Sequence, residues 1–169
     1  MADQAVPLER FGRCALLAWQ HAVAARNEAP VERRRPAIMT GHVLLGVLLE
    51  PTCAGGLILR KMGLDLQLAI DTTKFMLFYG RKPAEGAGGI VDWQNEPHTP
   101  QALRAIEYSL DEANLFHADY PIGTEHLLLG LLRVTDGMGI SVLEHFGITH
   151  AATRIARDTF WERLKLAEG

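Results

Sequence analysis

Thr40-Gly-His-Val-Leu-Leu-Gly-Val-Leu-Leu49 returns 84 positions later as Thr124-Glu-His-Leu-Leu-Leu-Gly-Leu-Leu-Arg133. At that offset 9 of the 24 positions from 40 to 63 are identical: Thr40, His42, Leu44, Leu45, Gly46, Leu48, Gly55, Leu59 and Gly63. Their partners are Thr124, His126, Leu128, Leu129, Gly130, Leu132, Gly139, Leu143 and Gly147. A fixed repeat period governs the architecture, because each copy is one unit that buries its apolar face against its neighbour. The chain therefore reads as two copies of one helical unit. A site in one copy should have an echo, or a lost echo, in the other.

Apolar residues recur at helical spacing, and sustained period-2 alternation is missing, so the fold class is all-α. Leu8 to about Ala25 reads as a first helix. Thr40 opens an apolar helix closed by Glu50-Pro51, since proline cannot continue a helix. Cys53 to Met62 is a short third helix stopped by Gly63, and Asp65, a good N-cap, starts a fourth that ends at Tyr79. Thr99-Pro100 opens the second copy with a cap and a proline at the first helical position. That helix runs to about His117; Thr124 caps the next, Met138 to Phe146 is short, and Thr149 opens the last. The expected architecture is two tandem four-helix repeats related by a pseudo-twofold axis. Repeat 1 spans 1–79, a linker 80–97 and repeat 2 98–169. Ala22 to Thr40 is 18 positions against 11 from Ala113 to Thr124, which assigns seven extra residues to a surface loop within 26–36. Gly46 and Gly130 sit mid-helix, where glycine costs roughly 1 kcal/mol relative to alanine, so a close helix crossing is expected there.

The chain of 169 residues is 48% hydrophobic and carries a net charge of -3, a poor electrostatic footprint for nucleic acid. Cys14 and Cys53 match no metal or redox spacing; they read as two small buried hydrophobes in a reducing, cytoplasmic setting. The start, Met1-Ala-Asp-Gln, shows no secretory signal, and no segment approaches the roughly 20 apolar residues of a membrane span.

Seven histidines raise a metal site, but no His-Glu-x-x-His occurs. His42 and His126 read as core residues bonded to nearby carbonyls, and a small histidine-dependent enzyme is the most distant functional reading. Arg33-Arg34-Arg35 reads as a solvated loop. No phosphate-binding glycine loop and no nucleophile elbow is present, so no cofactor is expected. One pair remains: Thr99 and Glu125, both at helix N-termini, where unpaired N–H groups favour anions. Helix capping alone would explain both. A ligand that joins an anion to a cation would use both, the helix end holding the anion and Glu125 the cation.

Ile122-Gly-Thr-Glu-His-Leu-Leu-Leu-Gly-Leu-Leu132, with His98-Thr-Pro-Gln-Ala-Leu-Arg-Ala-Ile-Glu-Tyr-Ser-Leu-Asp-Glu-Ala113 before it, resembles the N-terminal repeat domain of Clp unfoldases, the ClpC type in particular. Leu8-Glu-Arg-Phe11 resembles that domain's opening, and the resemblance covers about residues 6 to 166. It implies a non-catalytic domain that receives protein clients and adaptors for a AAA+ unfoldase and its peptidase. It also implies phosphoarginine as a ligand, one pocket per repeat. Thr99 and Glu125 match the family's threonine and glutamate in repeat 2. In repeat 1 the corresponding positions are Leu8, with Gly12 as the alternative, and Gly41, so repeat 1 is expected to be degenerate. The unfoldase modules are missing from the sequence. That implies either a recognition domain of a longer chain or a free-standing accessory or decoy subunit, and the final helix leans toward the free-standing form.

Overall fold

Eight α-helices run through the described residues, 6–80 and 96–168, of the computed structural model. They are α1 Arg13–Asn27, α2 Thr40–Leu48, α3 Ala54–Lys61, α4 Leu66–Tyr79, α5 Pro100–Asn114, α6 Thr124–Arg133, α7 Met138–His145 and α8 His150–Glu168. Four belong to each copy, as the repeat requires. Of the expected linker, residues 81–95 lie outside the described set. No single helix among the described residues is long and apolar enough to cross a membrane.

The two copies share one core. α2 and α6 are buried almost from end to end, and a single cluster of buried side chains joins Leu44 and Leu48 of one to Leu128 and Leu131 of the other. Each central helix is crossed at close range by the first helix of its own copy. A Cβ at Gly46 would strike the Ala18 carbonyl, and one at Gly130 the Ala105 carbonyl. The mid-helix glycines thus trade helix propensity for backbone-to-backbone approach. Gly63 and Gly147, with φ of +88° and +73°, end the short helices in the left-handed region.

These crossings fix the register of the first helices. Ala18 corresponds to Ala105 and Gly12 to Thr99, an offset of 87, whereas α2, α3 and α4 keep 84. Both first helices have 15 residues. The first-to-second connection in repeat 1 is therefore three residues longer than in repeat 2 rather than seven. Matching Ala22 to Ala113 slipped the alignment along an alanine-rich helix that offers no unique register.

The first helix starts at Arg13, not at Leu8. Leu8–Arg10 is a single 3-10 turn, after which the chain extends so that Phe11 pairs with Ile122. Gly12 N–H donates to the Ile122 carbonyl at 2.9 Å, and Ile122 N–H donates to the Arg10 carbonyl at 2.6 Å. The mirror arrangement pairs Ile38 with His98. Ile38 N–H donates to Pro97, and Thr99 N–H donates to Ile38, at 2.7 and 2.9 Å. Each copy's entry segment thus pairs with the other copy.

Of the expected loop 26–36, residues 26 and 27 belong to the end of α1; the rest is mostly surface-exposed around a buried Ala29, and its arginines staple it down. Arg35 donates to the Leu77 and Gly80 carbonyls, Arg34 donates to Ala29, and the Arg33 guanidinium lies 4.3 Å from the centre of the Tyr79 ring. The cysteines also depart from expectation. Cys14 and Cys53 form a disulfide with Cα atoms 6.1 Å apart. Antiparallel packing of α1 and α2 returns the residue just before α3 to the start of α1, a proximity invisible in the 39-residue spacing. In the chain-entropy model, closing such a loop stabilises by about 4 kcal/mol.

Candidate functional site

Two junctions form where the copies meet, and in sequence position they are counterparts. At the first, the N-termini of α1, α3 and α6 converge on a cleft of about 610 Å³. Gly12 and Arg13, Cys53 and Ala54, and Gly123 and Glu125 supply its rim and floor; Tyr120 and Trp161 supply aromatic wall. Helix starts leave N–H groups without intrahelical acceptors, so three of them facing one space make it attractive to anions. Gly12, the N-cap of α1, offers no side-chain acceptor to compete.

Glu125 lies in the floor of this cleft and is only 4% exposed. Burial pushes its carboxyl above the usual carboxylate range, partly opposed by its own backbone N–H and by the Arg157 charge. No lysine or arginine among the described residues comes within salt-bridge distance of it. Burial and the Glu125 charge together push Tyr120 upward as well. The cleft therefore sets a buried acid beside helix ends that favour an anion.

His126 completes the cap of its own helix. Its Nδ1 accepts the Gly123 N–H at 2.9 Å, as His42 Nδ1 accepts the Met39 N–H at 3.0 Å. Each histidine takes the place that glutamate or glutamine holds in a capping box. The expected carbonyl partner was wrong in sign: the ring accepts rather than donates. Burial holds His126 down at about 4 and His42 at about 3, so both rings are neutral acceptors at neutral pH.

The second junction has the same three helix starts: Thr99 of α5, Met138 of α7 and Gly41 of α2. It is filled. A Cβ at Gly41 would lie 2.7 Å from the Met138 sulfur and 3.1 Å from Leu77 Cδ2. At the 84-residue offset, Gly41, Met138 and Leu77 correspond to Glu125, Ala54 and Trp161. The open junction has an acid, a small residue and a rim aromatic; the closed one has a glycine, a long thioether and a buried leucine.

Thr99 and Glu125 are not neighbours. Thr99 caps α5, its hydroxyl accepting the Ala102 N–H at 3.1 Å. Gln101 and Arg104 bond to Asp136, just past the C-terminus of α6, at 3.0 and 2.9 Å. Glu125 is at the opposite end of α6, and 1.5 Å of rise per residue separates the two by about 12 Å along that helix. Glu125 faces Gly12 of the other copy, and Thr99 faces the α2 start with Gly41. Leu8 lies in the 3-10 turn ahead of Gly12, so Gly12 is the counterpart of Thr99. Neither junction holds both members of the pair. Cys14, Cys53, Ala54 and Trp161 also line the cleft and carry no motif of their own; for the last two, the offset comparison of 54 with 138 and 77 with 161 is the signal in the sequence.

Residues 97–169 match the family model described as the Clp repeat (R) N-terminal domain. Chaperone protein ClpB of Oceanobacillus iheyensis is 31% identical over 139 residues, covering 82% of this chain and 16% of that protein. The ATP-dependent Clp protease ATP-binding subunit ClpC of Staphylococcus saprophyticus is 29% identical over 149 residues, 87% of this chain and 17% of its own. The chain thus spans about one sixth of the length of these relatives. Among solved structures, the N-terminal domain of the ClpD chaperone from Arabidopsis thaliana superposes with a TM-score of 0.70 at 19% identity, covering 94% of this chain and 99% of that one.

Proposed function

This chain is a Clp N-terminal repeat domain, and from that premise we propose that it binds protein clients or adaptors for a Clp unfoldase and has no catalysis of its own. The observation that carries the reading is the convergence of three helix N-termini on one cleft with Glu125 in its floor. A client segment enters with a guanidinium toward Glu125 and an anion toward the helix ends. A carboxylate facing a guanidinium gives a charge-assisted, bidentate pair. Phosphoarginine carries both groups in one side chain and is the ligand class that fits. Trp161 and Tyr120 cover the aliphatic stem. Gly12 removes the hydroxyl that a threonine would add, so the backbone N–H groups alone hold the anion.

The binding is monovalent, because Met138 fills the second junction. Thr99 acts there as a helix cap. Titration of the 15N-labelled chain with phosphoarginine tests this. Shifts clustered at Gly12, Ala54 and Glu125, one ligand per chain, and loss on Glu125→Gln are expected. Shifts centred on Thr99 and Gly41, or none at Glu125, would reject it. A chain that docks on the Clp machine without receiving clients is the competing reading. Pull-down with unfoldase and peptidase subunits that leaves the cleft unprotected would favour it.

A further inference from the structure

We propose that the Cys14–Cys53 disulfide is a thiol-exchange switch set into the wall of the cleft; its effect on ligand rests on reading that cleft as the client site. Three observations support it. Both cysteines line the cleft, and Cys14 is part-exposed there. Both stand at helix N-termini: Cys14 is the second residue of α1, beneath an N-cap without a side-chain acceptor, and Cys53 is the N-cap of α3. The start of α1 stabilises a thiolate at Cys14, which favours the reduced pair, while at Cys53 the helix start is opposed by the Glu50 carboxylate, 3.7 Å from its sulfur. The third observation is asymmetry. At the closed junction the counterparts are Gln101 and Gly137, and Gln101 instead donates to Asp136 at 3.0 Å. The covalent tie accompanies the open cleft, and the closed junction forms without one.

The electrons come from a dithiol reductant of the thioredoxin class. One reductant thiolate attacks Cys14 Sγ; the S–S bond breaks, Cys53 leaves as a thiolate, and a mixed disulfide forms. The second reductant thiolate attacks its own sulfur in that bond and releases Cys14. The reductant loses two electrons and two protons and becomes a disulfide, while Cys14 and Cys53 gain both and become thiols. The two sulfurs then part from bonding to van der Waals distance. The start of α3 stays tethered by Cys53 N–H to the Glu50 carbonyl at 3.1 Å and by Gly55 N–H to the Thr124 hydroxyl at 2.9 Å. The wall loosens and holds the ligand less well.

The test uses the full chain, dithiothreitol as reductant and phosphoarginine as probe. Reduction is followed by alkylation and intact mass, the fold by circular dichroism, and the wall by amide exchange at residues 52–57. Reduction of the folded chain, faster exchange at 52–57 and a Kd weakened about fivefold or more are expected. The Cys14→Ser/Cys53→Ser variant should match the reduced wild type; if it does not fold, the reduced wild type alone decides. A bond that resists reduction until the helices melt overturns the proposal, as does reduction that leaves Kd unchanged. If the oxidised chain binds no phosphoarginine, the client-site reading fails separately, and exchange at 52–57 judges the switch: a rise upholds it, no change overturns it.

Discussion

The Thr124 hydroxyl accepts the Gly55 N–H at 2.9 Å across 69 residues of sequence, and Thr40 does the same for Gly139 at 2.9 Å. Neither threonine caps its own helix; Gly123 and Met39 hold the N-cap positions. Each satisfies an orphan N–H in the first turn of the other copy's short helix. Gly55 and Gly139 recur because the approach is tight: a Cβ would lie 2.8 Å from the Thr124 carbonyl or 2.9 Å from that of Thr40. Thr124→Val keeps the shape and leaves a buried donor unmet, which should cost about 1–3 kcal/mol. Urea unfolding of T124V, T40V and the double variant checks it. Because the two bonds lie at different junctions, their effects should add.

Gly46→Ala opposes two effects. Alanine is a better helix former by about 1 kcal/mol. The new methyl, however, lands on the Ala18 carbonyl, a backbone atom that cannot swing aside. Overpacking of this kind costs roughly 1–3 kcal/mol and occasionally more. G46A and G130A should both lower the urea midpoint, because the clash outweighs the propensity gain. A raised midpoint for either would mean that the helices do not cross as described.

The nine recurring positions were legible because nearly all serve the scaffold. The threonines tie the copies together, the histidines complete the caps, the glycines permit close approach or positive φ, and the leucines fill one core. Identity between copies therefore revealed the fold. The proposed site lies where the copies differ: Glu125 against Gly41, Ala54 against Met138, Trp161 against Leu77. Which residues face one another was not legible, because the entry segments pair between copies and set Glu125 opposite Gly12 rather than Thr99. The disulfide was hidden for a similar reason: Cys14 and Cys53 meet only after α1 and α2 pack antiparallel.

Acid should weaken the fold from about pH 6.5 downward, where the two capping histidines begin to titrate in the unfolded chain. His126 and His42 are held at about 4 and about 3 in the fold, against an ordinary value of 6.5. Their folded pKa values are lowered, so the stability they contribute is present above 6.5 and is lost as pH falls toward those values. Between pH 6.5 and 5 the unfolded chain takes up protons that the native rings refuse, at a cost that rises toward about 1.4 kcal/mol per unit for each ring. Glu112, whose two oxygens accept from Arg154 at 3.0 and 2.9 Å, is also lowered, and it adds loss in the same direction below its ordinary range. Glu125 is raised and opposes the trend. His126→Gln retains an acceptor at the capping position and removes the titration. The Tm of H126Q should therefore fall less than that of wild type between pH 6.5 and 5.

A more direct test of the cleft exchanges one residue between the junctions. Ala54 is the counterpart of Met138, whose sulfur occupies the space that a side chain at 41 would need. Ala54→Met should carry the same plug into the open junction and cover Glu125. The long thioether is flexible and fills irregular space, so the helices should remain intact. Phosphoarginine binding should be lost while thermal stability stays the same or rises, since the plug buries apolar surface at about 25 cal/mol per Å². The reciprocal Met138→Ala should not create a second site, because Gly41 supplies no carboxylate; it should instead leave a cavity and cost about 2–5 kcal/mol. Retained binding in A54M, measured by calorimetry alongside Tm, would place the ligand elsewhere on the molecule.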